Sequence, residues 1–142
     1  MPNPAVHEAV FQLYLDLAAC LTKGGQLSDI SLTSMELRSM RAIKSSQNAT
    51  PAEIAQILKR DRGQVTRLIG DLTKKSMVTS KPNPDDGRGR LLALTDQGEA
   101  IFAKVAAEEA KIHSKLMIGI EPNQLDVFFQ VAGQLSANAA KI

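Results

Sequence analysis

The side chains most capable of chemistry are cations that gather in the middle of the chain. Between Lys59 and Arg90 the sequence holds nine basic and four acidic residues, a net charge of +5, whereas the other residues together carry −3. The whole chain of 142 residues has a net charge of only +2. A local basic field attracts phosphate groups, which is typical of a site for a polyanion. A solvated lysine-rich surface is the alternative, and charge alone does not separate the two.

Side chains suited to catalysis or metal binding are few and scattered. The single cysteine, Cys20, lies in an apolar run, where a buried and unreactive thiol is expected. Glu109 and His113 have a spacing that can chelate a metal on a helix, but without a third ligand a surface or dimer-contact pair is expected. No nucleophile with a matching base and no phosphate-binding glycine loop is present. We therefore predict that the protein is not an enzyme and works without a cofactor.

Apolar stretches in this sequence are short. The longest, Leu17 to Leu21, is far below the roughly 18 residues that a membrane-spanning helix needs. The first basic residue is Lys23, so the charged start of a secretory signal is missing. These features predict a cytoplasmic protein with no membrane partner.

Three helix starts in the middle of the chain share one signature, in which Thr or Asp can accept a backbone N–H and Glu or Gln follows three residues later. They are Thr33–Glu36, Thr50–Glu53 and Asp61–Gln64. The helix after Thr50 should turn Ile54, Ile57 and Leu58 inward. It is short and separated from the next helix by a tight turn, an arrangement that suggests a helix-turn-helix.

The helix after Asp61 has two unlike faces. Its apolar stripe consists of Val65, Leu68, Ile69 and Leu72. The opposite face carries side chains of the kinds that read base edges and hold phosphates, namely Arg62, Gln64, Thr66, Arg67, Asp71 and Lys74. Beyond it, two β-prone stretches, Met77–Thr79 and Leu91–Leu94, are separated by a segment rich in Pro and Gly. We expect a hairpin with a basic loop over residues 82–90 at its tip.

Helices are also predicted at both ends of the chain. The first runs from His7 to Leu21, the fifth from Thr95 to about Ile118, and the last begins at Glu121 and Pro122. Each has an apolar stripe, so these helices are expected to pack together and across a two-fold axis. The first stripe is Val10, Leu13, Tyr14, Leu17 and Leu21, and the last is Leu125, Phe128, Phe129, Ala132 and Leu135.

This order of elements, together with three short motifs, resembles the multiple antibiotic resistance regulator (MarR) family over nearly the whole chain. The motifs are Thr66-Arg67-Leu68-Ile69, Asp86-Gly87-Arg88 and Leu94-Thr95-Asp96-Gln97-Gly98. The resemblance implies a mainly α fold with a small β-hairpin wing, a winged helix-turn-helix with N- and C-terminal dimerisation helices. It implies a dimerisation region in residues 1–32 and 96–142 and a DNA-binding domain in residues 33–95.

Carried onto this sequence, the resemblance assigns DNA-binding roles to the recognition helix and the wing. The pair Asp86 and Arg88 looks like a wing motif in which the aspartate orients the arginine near the minor groove. The DNA-binding residues expected in all are Thr50, Arg62, Gln64, Thr66, Arg67, Lys74, Lys81, Asp86, Arg88 and Arg90. Thr50 is expected to cap its helix and to touch a phosphate.

Three positions depart from the family pattern. Gly87 stands where a second wing arginine is frequent, Ser76 where a helix-ending glycine is usual, and Ser80 where a basic residue often begins the wing. The wing therefore has less charge than is common, and Lys81 and Arg90 are the residues expected to compensate.

The expected function is that of a dimeric transcription regulator, a repressor that binds a palindromic operator in double-stranded DNA. The resemblance adds a small aromatic or phenolic ligand as a candidate effector. It also offers a redox alternative for Cys20, because one branch of the family senses hydroperoxides through a cysteine in its first helix. A winged-helix protein-interaction module with little operator binding is the alternative function, suggested by Gly87, Ser80 and the modest net charge.

Overall fold

The computed structural model describes residues 4–23 and 30–142, and within them the chain forms six helices and one two-stranded antiparallel sheet. The elements in chain order are α1 (Pro4–Lys23), α2 (Ser34–Ser45), α3 (Pro51–Leu58), α4 (Arg62–Lys74), β1 (Val78–Asn83), β2 (Asp86–Leu94), α5 (Asp96–Leu116) and α6 (Pro122–Ala139). The predicted mainly α fold with a hairpin wing is confirmed. In this fold α3 and α4 are the helix-turn-helix, α4 is the recognition helix and the hairpin is the wing.

One hydrophobic core holds α2, α3, α4 and the hairpin together. Its fully buried members include Met40 of α2, Ile54 of α3, and Val65 and Leu72 of α4. Leu92 of β2 joins this core, and its backbone N–H donates to the carbonyl of Ala49 at 2.8 Å, which fixes the wing beside the start of α3. Burial of these side chains, each worth roughly 1.5–3 kcal/mol, positions the recognition helix.

The predicted helix starts are confirmed by their hydrogen bonds. Thr33 and Glu36 form a reciprocal capping box, with each side chain accepting from the other's backbone N–H. The hydroxyl of Thr50 accepts from the N–H of Glu53 at 3.2 Å, and a carboxylate oxygen of Asp61 accepts from the N–H of Gln64 at 2.9 Å. Local sequence therefore determines where α2, α3 and α4 begin.

Two helix ends place a non-glycine residue in the left-handed conformation. Lys59 has φ +51° in the turn between α3 and α4, and Ser76 has φ +60° after α4. At both ends the next amide reaches back to close the helix: Arg60 N–H donates to the Ala55 carbonyl and Met77 N–H to the Leu72 carbonyl. Ser76 thus occupies the position where glycine is favoured because it lacks a Cβ.

The wing is longer and its turn tighter than predicted. The expectation of a loop over residues 82–90 is wrong, because β1 continues to Asn83 and β2 begins at Asp86, leaving only Pro84 and Asp85 between them. Pro82 and the two glycines of β2 lie at the outer end of the hairpin. In a two-stranded sheet each strand has a neighbour on one side only, so a proline without an N–H can lie where no hydrogen bond to a neighbouring strand is required. Arg88 and Arg90, expected in the loop at the tip, therefore lie within β2, where Arg90 pairs with Pro82 and residues 87–89 have no partner in β1.

The wing base is joined to the start of α5 through Thr95 and Gly98. The N–H of Thr95 donates to the Met77 carbonyl at 3.0 Å, and its hydroxyl donates to the Ser76 carbonyl at 2.5 Å. The same hydroxyl accepts from the N–H of Gly98 at 2.9 Å. A Cβ on Gly98 would lie 2.1 Å from the Met77 carbonyl oxygen, so only glycine fits here. These contacts give a structural reason for the Leu94–Gly98 motif.

Most of the large apolar side chains of α1 and α6 are exposed in the single chain. Tyr14 is 60% exposed in α1, and Phe129 is 62% exposed in α6. Cys20 is also exposed, so the expectation that it is buried is wrong for the isolated subunit. The apolar run around Cys20 indicated a covered face, but nothing within the described part of the chain covers it.

By its internal contacts the chain divides into two compact units, one ending at Glu109 and the other comprising Ala110–Ile142. The predicted boundaries of the DNA-binding domain, 33 and 95, stay a prediction. No helix within residues 4–23 and 30–142 has both the length and the apolar character to span a membrane.

Candidate nucleic-acid interface

The recognition helix presents its predicted polar residues to solvent. Arg62, Gln64, Thr66, Arg67 and Lys74 are all exposed, whereas Val65 and Leu72 on the opposite side are buried. Two details differ from the sequence analysis. Asp71 is half-buried, and in α3 Ile57 is 50% exposed while Ala55 takes its place in the core. The strip that faces outward therefore carries positive charge and hydrogen-bonding groups.

Five exposed cations of α4 and the wing form neither an ion pair nor a side-chain hydrogen bond within the described residues. They are Arg62, Arg67, Lys74, Lys81 and Arg88. Two cations of α2, in contrast, have partners: Arg41 binds Glu109 at 2.7 Å and Lys44 binds Glu99 at 2.5 Å. A charge without a protein partner keeps its full capacity to bind phosphate, so these five residues form a candidate polyanion surface.

Asp86 positions Arg88, as the wing motif implied, but it does so through the backbone of Arg88 and not through an ion pair with its side chain. A carboxylate oxygen of Asp86 accepts from the backbone N–H of Arg88 at 3.1 Å. A Cβ on Gly89 would lie 3.0 Å from the other carboxylate oxygen, so the glycine leaves room for this turn. The Arg88 guanidinium remains exposed beyond it. Asp86 therefore acts through the main chain and leaves the arginine side chain available.

Arg90 is occupied in a way that the sequence did not indicate. Its Nε donates to the Ser80 hydroxyl at 3.1 Å, and its Nη2 donates to the Ser80 carbonyl at 3.0 Å. Pro82 lies opposite Arg90 and Leu92 opposite Ser80, so Arg90 and Ser80 are diagonal neighbours across the strands. Ser80, which replaces a frequent basic residue, is thus the partner that braces Arg90 along the wing.

Thr50 is half-buried, and its hydroxyl oxygen accepts from the N–H of Glu53. This contact confirms the predicted capping role and leaves the hydroxyl proton free. Phosphate contact by Thr50 stays a prediction.

Arg60 was missed by the sequence analysis. It lines an open groove beside the recognition helix, together with Gln64 and Arg67 on the polar side and Met35 and Leu68 on the apolar side. The signal that could have found it is its place in the basic segment, in the short turn directly before α4.

Lys75, although part of the basic segment, serves the interior of the domain. Its ammonium lies 2.9 Å from both carboxylate oxygens of Glu36, a side chain that is 4% exposed, and 2.8 Å from the Ser31 carbonyl. Burial acts to raise the pKa of Glu36, but hydrogen bonds from the Thr33 N–H and from Lys75 outweigh it and hold the pKa below its ordinary value. The pair ties the end of α4 to the start of α2.

A second group of charges joins α2 to α5. Arg41 and Lys44 both lie 5.5 Å from the ring centre of Phe102, while their partners Glu109 and Glu99 lie on the same helix as that ring. Because Glu109 binds Arg41, it is not a free carboxylate. Among residues 4–23 and 30–142, no three His, Cys, Asp or Glu side chains come together as metal ligands would.

Comparison with known proteins finds similarity to the MarR family over part of the chain. A model of the MarR family matches residues 30–89. The multiple antibiotic resistance protein MarR of Escherichia coli K12 is 36% identical over 75 residues, which are 53% of this chain and 52% of that protein. The aligned part thus spans about half the length of this curated relative.

Solved structures share the fold over most of the chain. The C80S mutant of E. coli MarR complexed with operator DNA matches with a TM-score of 0.79 and 23% identity, covering 92% of this chain and 93% of that one. BpsR of Bordetella bronchiseptica, whose DNA binding is regulated by 6-hydroxynicotinic acid, matches with a TM-score of 0.77 and 18% identity, covering 92% of both chains. At these identities the likeness concerns the fold.

Proposed function

We propose that this chain is a member of the MarR family and a dimeric transcription regulator, a repressor that binds a palindromic operator. The observation that carries the proposal is the set of five unpartnered cations on α4 and the wing. They belong to the two elements that winged helix-turn-helix proteins apply to DNA. E. coli MarR, which has the same fold, has been crystallised with operator DNA.

The proposed complex follows from the two-fold symmetry of a palindrome. The recognition helices of two subunits lie in successive major grooves about 34 Å apart, with Arg62, Gln64, Thr66 and Arg67 toward the bases. Lys74 and Thr50 contact the backbone. Arg88 of each wing approaches the adjacent minor groove, oriented by Asp86, while Lys81 and Arg90 add positive charge beside it.

Dimerisation is assigned to residues 1–32 and 96–142. Its support is the exposure of large apolar side chains such as Val10, Phe11 and Tyr14 in α1 and Phe128 and Phe129 in α6. Exposed apolar side chains grouped on helices mark protein contact surfaces. A homodimer covers them with the same residues of a second copy, and the DNA-binding domain, residues 33–95, is then presented twice.

We further propose release by a small aromatic or phenolic ligand. The ligand favours a separation of the recognition helices that does not fit the operator, and so lowers DNA affinity. The regulation of BpsR by 6-hydroxynicotinic acid is a precedent in a protein of the same fold. In this proposal the protein works in the cytoplasm and has no enzymatic activity.

The proposal is tested by the salt dependence of DNA binding. Bound sites are first selected from random duplexes, and the affinity is then measured by fluorescence anisotropy over a range of salt concentrations. Ten such cations per dimer set an upper limit of about −9 for the slope of log K against log salt. A steep negative slope is expected. Weak binding at every salt concentration would instead favour the alternative, a winged-helix protein-interaction module.

Arg88→Ala provides the matched test of the wing. It should weaken operator binding and flatten the salt slope, while the sedimentation of the dimer stays the same. Lys104→Ala removes an exposed cation of α5, outside the proposed interface, and should leave the affinity unchanged. Equal affinities for the Arg88 variant and the parent protein would remove the wing from the DNA-binding surface.

A further inference from the structure

Thr66 has its hydroxyl proton already engaged. The hydroxyl donates to the backbone carbonyl of Arg62, four residues earlier in α4, at 2.8 Å. The residue is nevertheless exposed. Donating the proton to DNA would require breaking this bond, since a hydroxyl has only one proton to give. Toward solvent the side chain therefore offers lone pairs beside the helix backbone and one methyl group.

The position of Thr66 favours contact with base edges. It lies in the first half of α4, one residue before Arg67 and on the same edge of the helix as Arg62. In helix-turn-helix proteins the N-terminal part of the recognition helix contacts the bases. This reasoning rests on the proposed function, because only a bound duplex brings bases to this surface.

From these observations we propose that the Thr66 methyl group reads the 5-methyl group of a thymine in the major groove. Thymine is the base that presents a methyl group there, and a threonine methyl is one of the apolar groups that contact it. The alternative is that the hydroxyl oxygen accepts from an adenine or cytosine amine. That amine would have to approach beside the Arg62 carbonyl, which the hydroxyl already contacts. The methyl group takes no part in the hydrogen bond, so contact with it requires no approach to that carbonyl.

The experiment uses deoxyuridine, which differs from thymidine only in lacking the 5-methyl group. In the selected operator each thymine of one half-site is replaced in turn, with the symmetric thymine of the other half-site replaced together with it. One buried methyl group corresponds to about a fourfold change in affinity, so a symmetric pair corresponds to about 16-fold. The full-length protein is expected to show this loss at one thymine position facing α4.

Two variants separate the methyl group from the hydroxyl. Thr66→Val keeps a methyl group and removes the hydroxyl, so it should bind the thymine operator within about twofold of the parent. Thr66→Ser keeps the hydroxyl and removes the methyl group, so it should bind about as weakly as the parent binds the deoxyuridine operator. The serine variant should then show no further loss on deoxyuridine.

Thr73 supplies the matched control. Its hydroxyl donates to the Ile69 carbonyl at 2.7 Å in the same way, and it is exposed on the same edge of α4, two turns closer to the C-terminus. Thr73→Val and Thr73→Ser should leave the deoxyuridine penalty at the identified position unchanged. Circular dichroism of each variant checks that α4 is retained.

Two outcomes would overturn the methyl contact while leaving the proposed function intact. One is a parent protein that binds its operator with no penalty for deoxyuridine at any thymine. The other is a loss of affinity in Thr66→Val together with full affinity in Thr66→Ser, which would identify the hydroxyl as the contact. Failure of the parent protein to bind any selected duplex would overturn the proposed function itself, and the methyl contact with it.

Discussion

Gly98 and Gly70 are both helical glycines, yet alanine should have opposite effects at the two positions. A Cβ at Gly98 would lie 2.1 Å from the carbonyl oxygen of Met77 and 3.0 Å from its carbonyl carbon. A Cβ at Gly70 would meet nothing within 4 Å. We predict that Gly98→Ala lowers the free energy of unfolding and that Gly70→Ala raises it.

The magnitude for Gly98→Ala follows from the junction between the wing and α5. To restore an ordinary contact, the Met77 carbonyl and the first turn of α5 must separate by about 1 Å. Overpacking of this kind lowers the free energy of unfolding by roughly 1–3 kcal/mol. That movement also stretches the bond from Thr95 N–H to the Met77 carbonyl, worth about 1 kcal/mol. Alanine has a higher helix propensity than glycine, which raises the free energy of unfolding by at most about 1 kcal/mol. The net expected loss is about 2 kcal/mol.

For Gly70→Ala only the helix propensity changes, and a gain of about 1 kcal/mol is expected. Both variants are compared with the parent by urea denaturation at one fixed protein concentration, because the stability of a dimer depends on concentration. Gly70→Ala also controls for a general effect of alanine, because an added Cβ there meets nothing within 4 Å. An unfolding midpoint for Gly98→Ala equal to or above that of the parent would refute the packing argument.

Three further measurements test other parts of the structure. Ser76→Gly should stabilise the protein by about 1 kcal/mol, because glycine adopts φ +60° without strain, and Ser76→Ala should give no such gain in the same denaturation assay. Because Glu36 has a lowered pKa when folded, its contribution to stability is complete above the ordinary value of 4.5 and is lost as the pH falls through the folded value. The stability difference between the parent and Glu36→Gln, measured by thermal unfolding, should therefore shrink below about pH 4.5, and a constant difference would contradict the role of the Glu36–Lys75 pair. Gln64→Ala should change the sequence preference in a binding-site selection more than the affinity for unrelated DNA, and an equal loss on every duplex would remove Gln64 from base reading.

Local signals in the sequence predicted α2, α3 and α4 well. Thr33, Thr50 and Asp61 each cap the helix expected to follow them, because a cap depends on residues only three positions apart. The exposed face of α4 could be predicted for the same reason, since helical periodicity is a local property. These signals were enough to place the recognition helix and its outward residues.

The wing could not be predicted to the same extent because its structure depends on pairing across strands. Pro82 and the glycines indicated a loop, but Pro82 pairs with Arg90 and Asn83 pairs with Asp86, and only residues 87–89 lack a partner in β1. The contact between Arg90 and Ser80 requires that register. Exposure of Cys20 could not be predicted either, because the apolar pattern of α1 does not say whether its own chain covers it.

The bracing of Arg90 by Ser80 separates two properties that an arginine usually contributes together. Ser80 is neutral, so the guanidinium retains its full positive charge and still adds to the long-range attraction that speeds an encounter with a polyanion. Its Nε and Nη2 donors, however, are engaged by Ser80. Residue 90 thus favours rapid association more than slow dissociation. Exchanging Ser80 for alanine would remove the bonds to the hydroxyl and free Nε, keep the Nη2 bond to the backbone carbonyl, and leave the net charge of the wing unaltered.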